Sequence, residues 1–262
     1  MCGIAGYSVS GDSRVDRTLA AQALLAGIAE RGADAVGYGW RNGDPSVHIH
    51  KQRGGATGLL ERVAVPQSTT QVLLHVRDYT KGHPTIEANN HPIRHGAVVG
   101  IHNGIIANDD DVFAEFGFRR ERPEMTVDSE AIFALVEWDD SPRILERLRG
   151  TMATAWLDER KPGELRVARG VGRPLWLGRA RHETFFASTR AALEVLERTL
   201  GLALKKVEID EGSLLVLRDG RVADADAFAP DSSYVEERPL PAVRAAAEGL
   251  RCLDRLAALA QG

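Results

Sequence analysis

Residue 2 is a cysteine, and its place in the chain gives it a chemistry that most cysteines lack. A small second side chain permits removal of the initiator methionine, and the thiol and a free α-amine then share one residue. That amine titrates near about 7.7–8.0 and accepts a proton at neutral pH. A nucleophile served by its own terminal amine is a known route to acyl transfer. The plain alternative is a buried, inert thiol. The second cysteine, Cys252, lies at the far end of the chain, so the two form no disulfide framework or metal cluster by themselves.

Four further stretches carry groups suited to handling a small polar substrate. Arg31-Gly32-Ala33-Asp34-Ala35-Val36-Gly37 ends in glycines around a charge pair; alone, it reads as a helix end with surface charges. His75-Val76-Arg77-Asp78-Tyr79-Thr80-Lys81-Gly82 contains an arginine whose planar fork suits a carboxylate, or equally a surface ion pair. Asn90-His91-Pro92 precedes His102-Asn103-Gly104-Ile105-Ile106, in which Asn-Gly alone would be an ordinary hairpin turn. Val127-Asp128-Ser129-Glu130 opens an apolar run, where Asp128 suits a helix N-cap.

Taken in order, these segments resemble the class II glutamine amidotransferases, whose glutaminase domain begins with the Met-Cys-Gly-Ile-Ala-Gly pattern seen here. The similarity runs over roughly residues 2 to 225 and is greatest to the domain found in glucosamine-6-phosphate synthase. It implies that Cys2 attacks the side-chain amide of L-glutamine. Asn103 and Gly104 would supply the oxyanion hole. Arg77 and Thr80 would hold the α-carboxylate and Asp128 the α-ammonium, with Arg31, His91 and His102 in support. Two positions depart from the family's HTRWATHG segment: its tryptophan is Asp78 here and its second histidine is Lys81. Arg173-Pro174-Leu175 and Ala187-Ser188-Thr189 are similar to later family segments. A different amide hydrolase of the same type and a non-catalytic glutamine-binding relative are the competing readings.

These residues need a scaffold. Strands are expected at 3–9, 36–41, 46–52, 71–76, 94–102, 151–158, 164–169, 175–178, 184–187, 206–209, 213–218 and 221–223. Helices are expected at 15–30 (capped by Asp12 or Ser13, ended by Gly32), 128–136, 142–148 and 189–200. Most strand-to-strand steps are too short for crossover helices, which points to antiparallel sheets covered by helices. The family resemblance names the fold: an α+β, four-layer αββα sandwich of two antiparallel sheets, the N-terminal-nucleophile hydrolase fold. Residues 1–228 form the expected glutaminase domain. Residues 229–262 read as a Pro- and Ser-containing linker and a C-terminal helix over 243–259, whose Leu250, Leu253, Leu256 and Leu259 should dock on something.

The remaining features mainly exclude. A net charge of -4 gives no overall field towards nucleic acid or anionic lipid, so no direct nucleic-acid partner is expected. No apolar run spans a membrane and no signal peptide precedes the first strand, which suits a cytoplasmic protein. The eight histidines lack metal-ligand spacing, and no phosphate-cradling glycine loop is present, so neither metal nor cofactor is expected. In the family the glutaminase feeds ammonia to a second catalytic domain, and this chain ends about where that domain would start. The expected partner is therefore a separate ammonia-accepting synthase subunit, with oligomerisation left open.

Overall fold

The computed structural model describes residues 2–41, 44–236 and 241–261. Removal of Met1, on which the amine chemistry depends, concerns a residue outside that range.

The chain opens with β1 (Gly3–Val9), α1 (Arg17–Ile28), β2 (Ala35–Arg41), β3 (His48–Arg53), a single turn α2 (Thr57–Leu60) and β4 (Gln71–Arg77). Next come β5 (Ile93–His95), β6 (Val98–Ile106), α3 (Asp109–Phe116), α4 (Glu130–Trp138), β7 (Gly150–Asp158) and β8 (Leu165–Arg169). The rest is β9 (Trp176–Arg179), β10 (Glu183–Ala187), α5 (Arg190–Leu200), β11 (Lys205–Glu208), β12 (Ser213–Arg218), β13 (Arg221–Ala227) and α6 (Ala246–Leu259). A seven-stranded sheet runs β11-β9-β10-β1-β4-β2-β3, and a six-stranded sheet runs β13-β12-β8-β7-β6-β5. Neighbouring strands pair antiparallel.

Three apolar layers define the stack. Tyr7, Leu24, Leu25, Ile28, Leu74 and Phe185 pack the first sheet against α1, α5 and α6. Phe133, Leu135 and Trp156 pack the second sheet against its own helices. Ile4, Leu73, Val99, Ile101, Leu157 and Phe186 fill the space between the sheets. Helix, sheet, sheet, helix is the expected αββα sandwich. No helix among the described residues is long and apolar enough to cross a membrane.

Several local expectations shift. Asp16, not Asp12 or Ser13, caps α1 by accepting from the Leu19 amide. The 94–102 strand divides at a turn containing Gly96, so β5 and β6 are separate strands and His102-Asn103-Gly104 lies inside β6, not in a turn. The 142–148 helix is a 3₁₀ segment, Pro142–Arg147. Helix α3, opening with three aspartates, has no counterpart among the expected elements. Asp219-Gly220, both at positive φ, forms the hairpin turn between β12 and β13, and Thr189 caps α5.

The C-terminal helix docks differently from its leucine spacing. Cys252 and Leu256 are buried against the first layer, whereas Leu250 is 66% exposed and Leu253 and Leu259 are also outward. The Glu248 carboxylate accepts from the Thr57 amide at 2.6 Å, and the Cys252 sulfur lies 3.2 Å from the Thr57 hydroxyl. Close approach, rather than a leucine stripe, selects this face: a Cβ on Gly249 would stand 2.8 Å from Glu30 Cβ.

Candidate functional site

Strand side chains alternate between faces. Ile4, Leu73, Val99 and Ile101 point between the sheets. The same parity carries the inner layer on to Cys2 just before β1, to His75 and Arg77 at the end of β4, and to Asn103 in β6. At this end the layer changes from hydrocarbon to polar groups.

Cys2 is half-buried. Its thiol donates to the Asp78 carbonyl at 3.5 Å, and its own carbonyl accepts from Arg31 Nε at 2.8 Å. Burial pushes the thiol above its usual pKa, opposed by the bond to Asp78. Just after Arg31 the extended Gly32 lies against the end of β4, where any Cβ would stand 2.4 Å from the Arg77 carbonyl group.

His75, His91 and His102 are buried together. The His75 and His91 rings stack with centroids 4.1 Å apart. His75 Nε2 lies 3.0 Å from the His102 carbonyl, and His102 Nδ1 lies 2.9 Å from the Ser129 hydroxyl. Burial pulls His75 and His102 down to about 3 and His91 well below its usual range. All three rings are neutral at pH 7. The thiol hydrogen bond goes to a peptide carbonyl and to none of these imidazoles.

Asn103 is fully buried, and neither atom of its amide has a hydrogen-bond partner among the described residues. Backbone pairing sets its neighbours: Asn103 faces Ala153 and Gly104 faces Met152 across β7. Gly104 has φ 152°, and a Cβ there would stand 1.9 Å from the Thr151 carbonyl oxygen. Only glycine tolerates both conditions.

A narrow cleft brings together Cys2, Arg77, Thr80, His91, His102, Gly104 and Asp128. Arg31 and Asn103 are not among its lining residues; Arg31 acts behind Cys2. Arg77 Nη1 donates to the Asn90 side chain at 2.6 Å, and Nη2 donates to the Lys81 and Gly82 carbonyls. The guanidinium therefore shapes the 78–82 loop as well as facing the cleft. Thr80 sits exposed on that loop. Asp128 is not the α4 N-cap; Ser129 occupies that position. The Asp128 carboxylate instead accepts from the Ile106 amide at 2.7 Å, just past the Asn103-Gly104 pair. Burial pushes Asp128 up to about 6, against the pull of that hydrogen bond.

The two departures from the family segment find charge partners outside the cleft. Lys81 Nζ lies 2.7 Å from both Asp109 oxygens and 3.1 Å from Asp110, at the start of α3. Burial lowers its pKa, but these carboxylates outweigh that and hold it above the usual value. Asp78 Oδ2 lies 3.1 Å from Arg244 Nε. Two more supporting residues escaped the sequence reading. Asp34 accepts from the Tyr79 amide at 3.0 Å, and Ser129 orients His102. Both stood inside the quoted motifs, so the signal was present without a role attached to it.

A family model described as a glutamine amidotransferase domain matches residues 75–195. Similar curated proteins include the glutamine–fructose-6-phosphate aminotransferase (isomerizing) of Escherichia coli K12, 32% identical over 208 residues, covering 74% of this chain and 32% of that protein. The enzyme of the same name from Vibrio cholerae is 30% identical over 240 residues, covering 86% of this chain and 37% of its own. The chain thus spans about a third of the length of the curated relatives it matches. Among solved structures, the glutamine phosphoribosylpyrophosphate amidotransferase from B. subtilis, complexed with ADP and GMP, aligns with TM-score 0.65 at 19% identity, over 86% of this chain and 49% of that one. A structure titled as the allosteric regulatory enzyme of purine biosynthesis aligns with TM-score 0.67 at 21% identity, with the same coverages. At such identities these two structures speak to the fold alone.

Proposed function

The chain belongs to the class II glutamine amidotransferases, and from that premise we propose that it hydrolyses L-glutamine to glutamate and ammonia through a thioester on Cys2. With Met1 removed, the Cys2 amine takes the thiol proton, directly or through one water. The thiolate attacks the glutamine carboxamide carbon, and negative charge moves to oxygen. The Asn103 side-chain amide and the Gly104 N–H hold that oxygen. The ammonium returns its proton as the C–N bond breaks, ammonia leaves, and a γ-glutamyl thioester remains. Water then attacks the thioester, releasing glutamate and restoring the thiol. Arg77 and Thr80 bind the α-carboxylate, and Asp128 binds the α-ammonium. His91 and His102 shape the cleft wall, and Arg31 holds the Cys2 main chain. The ammonia is passed to a separate acceptor enzyme, with residues 229–262 and the outward leucines of α6 as the docking element.

The observation that carries this reading is Asn103. A buried, unpartnered amide costs on the order of 1–3 kcal/mol, so a purely structural residue has reason to be apolar here. An oxyanion donor has reason to stay. The three neutral histidines support the amine as base, since none is bonded to the thiol. The test is ammonia release from L-glutamine by the wild-type chain and by Cys2→Ala, alongside N-terminal mass spectrometry. Wild-type release with loss in the variant supports the reading. Activity surviving in Cys2→Ala, or in a sample that keeps Met1, overturns the nucleophile or the base respectively.

A further inference from the structure

Cys2 is held at two points, and the C-terminal segment grips both. The first is its carbonyl, bonded to Arg31 Nε at 2.8 Å. The carbonyl of the preceding residue, Glu30, accepts from the Arg244 and Ala245 amides at 2.9 and 2.8 Å. Gly249 packs against the same residue. The second point is the thiol, bonded to the Asp78 carbonyl. The Asp78 side chain meets Arg244 Nε at 3.1 Å, across 166 positions of sequence. One residue, Arg244, therefore touches the support of both anchors: its backbone on the 29–31 turn, its side chain on the 78 loop.

We infer that residues 241–261 form an intramolecular clamp that sets the position of Cys2, with Arg244 as its positioning residue. The inference rests on the glutaminase reading for its kinetic consequence. The Asp78–Arg244 pair is partly exposed, with the arginine side chain 41% accessible, so it adds little to global stability. Its effect is local. It fixes the orientation of the peptide that holds the thiol, and small displacements of a reacting atom are costly in rate. It also accounts for the aspartate standing where the family segment carries tryptophan: the carboxylate has a cation to meet.

The test uses the full chain carrying Arg244→Met, Asp78→Asn, the double variant and Arg244→Lys. Arg255→Met serves as a control, since it removes only the outer Arg255–Glu61 pair of the same helix. The readouts are kcat and KM for glutamine and the rate of Cys2 alkylation by iodoacetamide, followed by mass spectrometry. Arg244→Met should lower kcat by about tenfold with KM little changed, and should alter the alkylation rate several-fold. Arg244→Lys should recover most of both. The double variant should be no worse than the poorer single, because the two residues act as one contact. The control should match wild type. The clamp is overturned if Arg244→Met equals wild type in kcat and alkylation, or if the two single effects multiply in the double variant. A wild-type chain that releases no ammonia defeats the glutaminase reading instead, and the alkylation arm still decides the clamp.

Discussion

The space between the two sheets is filled in two ways. In its middle, Leu73, Val99, Ile101, Leu157 and Phe186 meet as hydrocarbon, each essentially without exposure. At the Cys2 end the same strands bring in His75, Arg77 and Asn103, with His91 from the following loop. Here His75 Nδ1, both His91 ring nitrogens and both Asn103 amide atoms are buried without partners among the described residues. The apolar half stabilises the sandwich, because close-packed side chains gain from every contact. The polar half costs stability, because each unmet group has lost water and gained nothing. Two adjoining stretches of the same strands thus have opposite effects on stability. On the glutaminase proposal, it is the polar half that receives the substrate.

That contrast can be attacked from both halves. Cys2→Ser should reduce ammonia release to background while leaving Tm within a few degrees of wild type; a variant that is inactive because it has unfolded would erase the distinction. Asn103→Leu should lower kcat by about 10²–10³-fold yet leave denaturant stability unchanged or raised, since it removes an unmet amide; a clear stability loss would mean that Asn103 is a structural group. Leu157→Ala, in the apolar half, should do the reverse. We expect a loss of about 2–5 kcal/mol by urea titration, with kcat per folded molecule close to wild type.

The next effect is a pH dependence. With its pKa pushed up to about 6, Asp128 loses its charge as pH falls through that value, and the hold on the glutamine ammonium that we propose for it would go with it. KM for glutamine should rise about tenfold per pH unit below about pH 6, and Asp128→Asn should flatten the profile at a high KM. Its contribution to stability runs the other way. The folded pKa lies above the unfolded one, so protonation favours folding at acid pH, and that benefit is lost as pH rises through about 6. The smallest expected effect is Leu250→Ser on the outer face of α6, within about 0.5 kcal/mol of wild type. A larger loss would show that this face is covered.

Much of the architecture was legible because its signals are local. Short apolar runs gave β1, β4 and β12 within a residue or so. Helix α3 was missed because three successive aspartates hide an amphipathic turn. The Asn103-Gly104 turn was misplaced for a related reason: the dipeptide favours turns in isolation, but nine paired residues of β6 and β7 override it. The candidate site was legible as a set of residues only through resemblance, since Cys2, Arg77, Asn103 and Asp128 come from four separate segments. What lay beyond reach was pairing at a distance. Nothing local links Asp78 to Arg244 or Lys81 to Asp109, and Asp128 reads as a cap until β6 brings the Ile106 amide to it.

The place of β1 has a consequence for how the molecule is made. It is the first strand in the sequence and the middle strand of its sheet, flanked by β4 and β10. Its amide at Ile4 is satisfied by Ser188, 184 positions downstream. During synthesis β4 can cover one edge of this strand early, whereas the edge that takes β10 stays open until residues 183–187 have emerged. Contacts of such long sequence separation slow folding and leave edges exposed to other chains. Cys2 therefore precedes by most of the chain the Ser188 that completes the strand beside it. Yield and solubility of recombinant protein should accordingly respond more to slowed translation or chaperone supply than to surface substitutions.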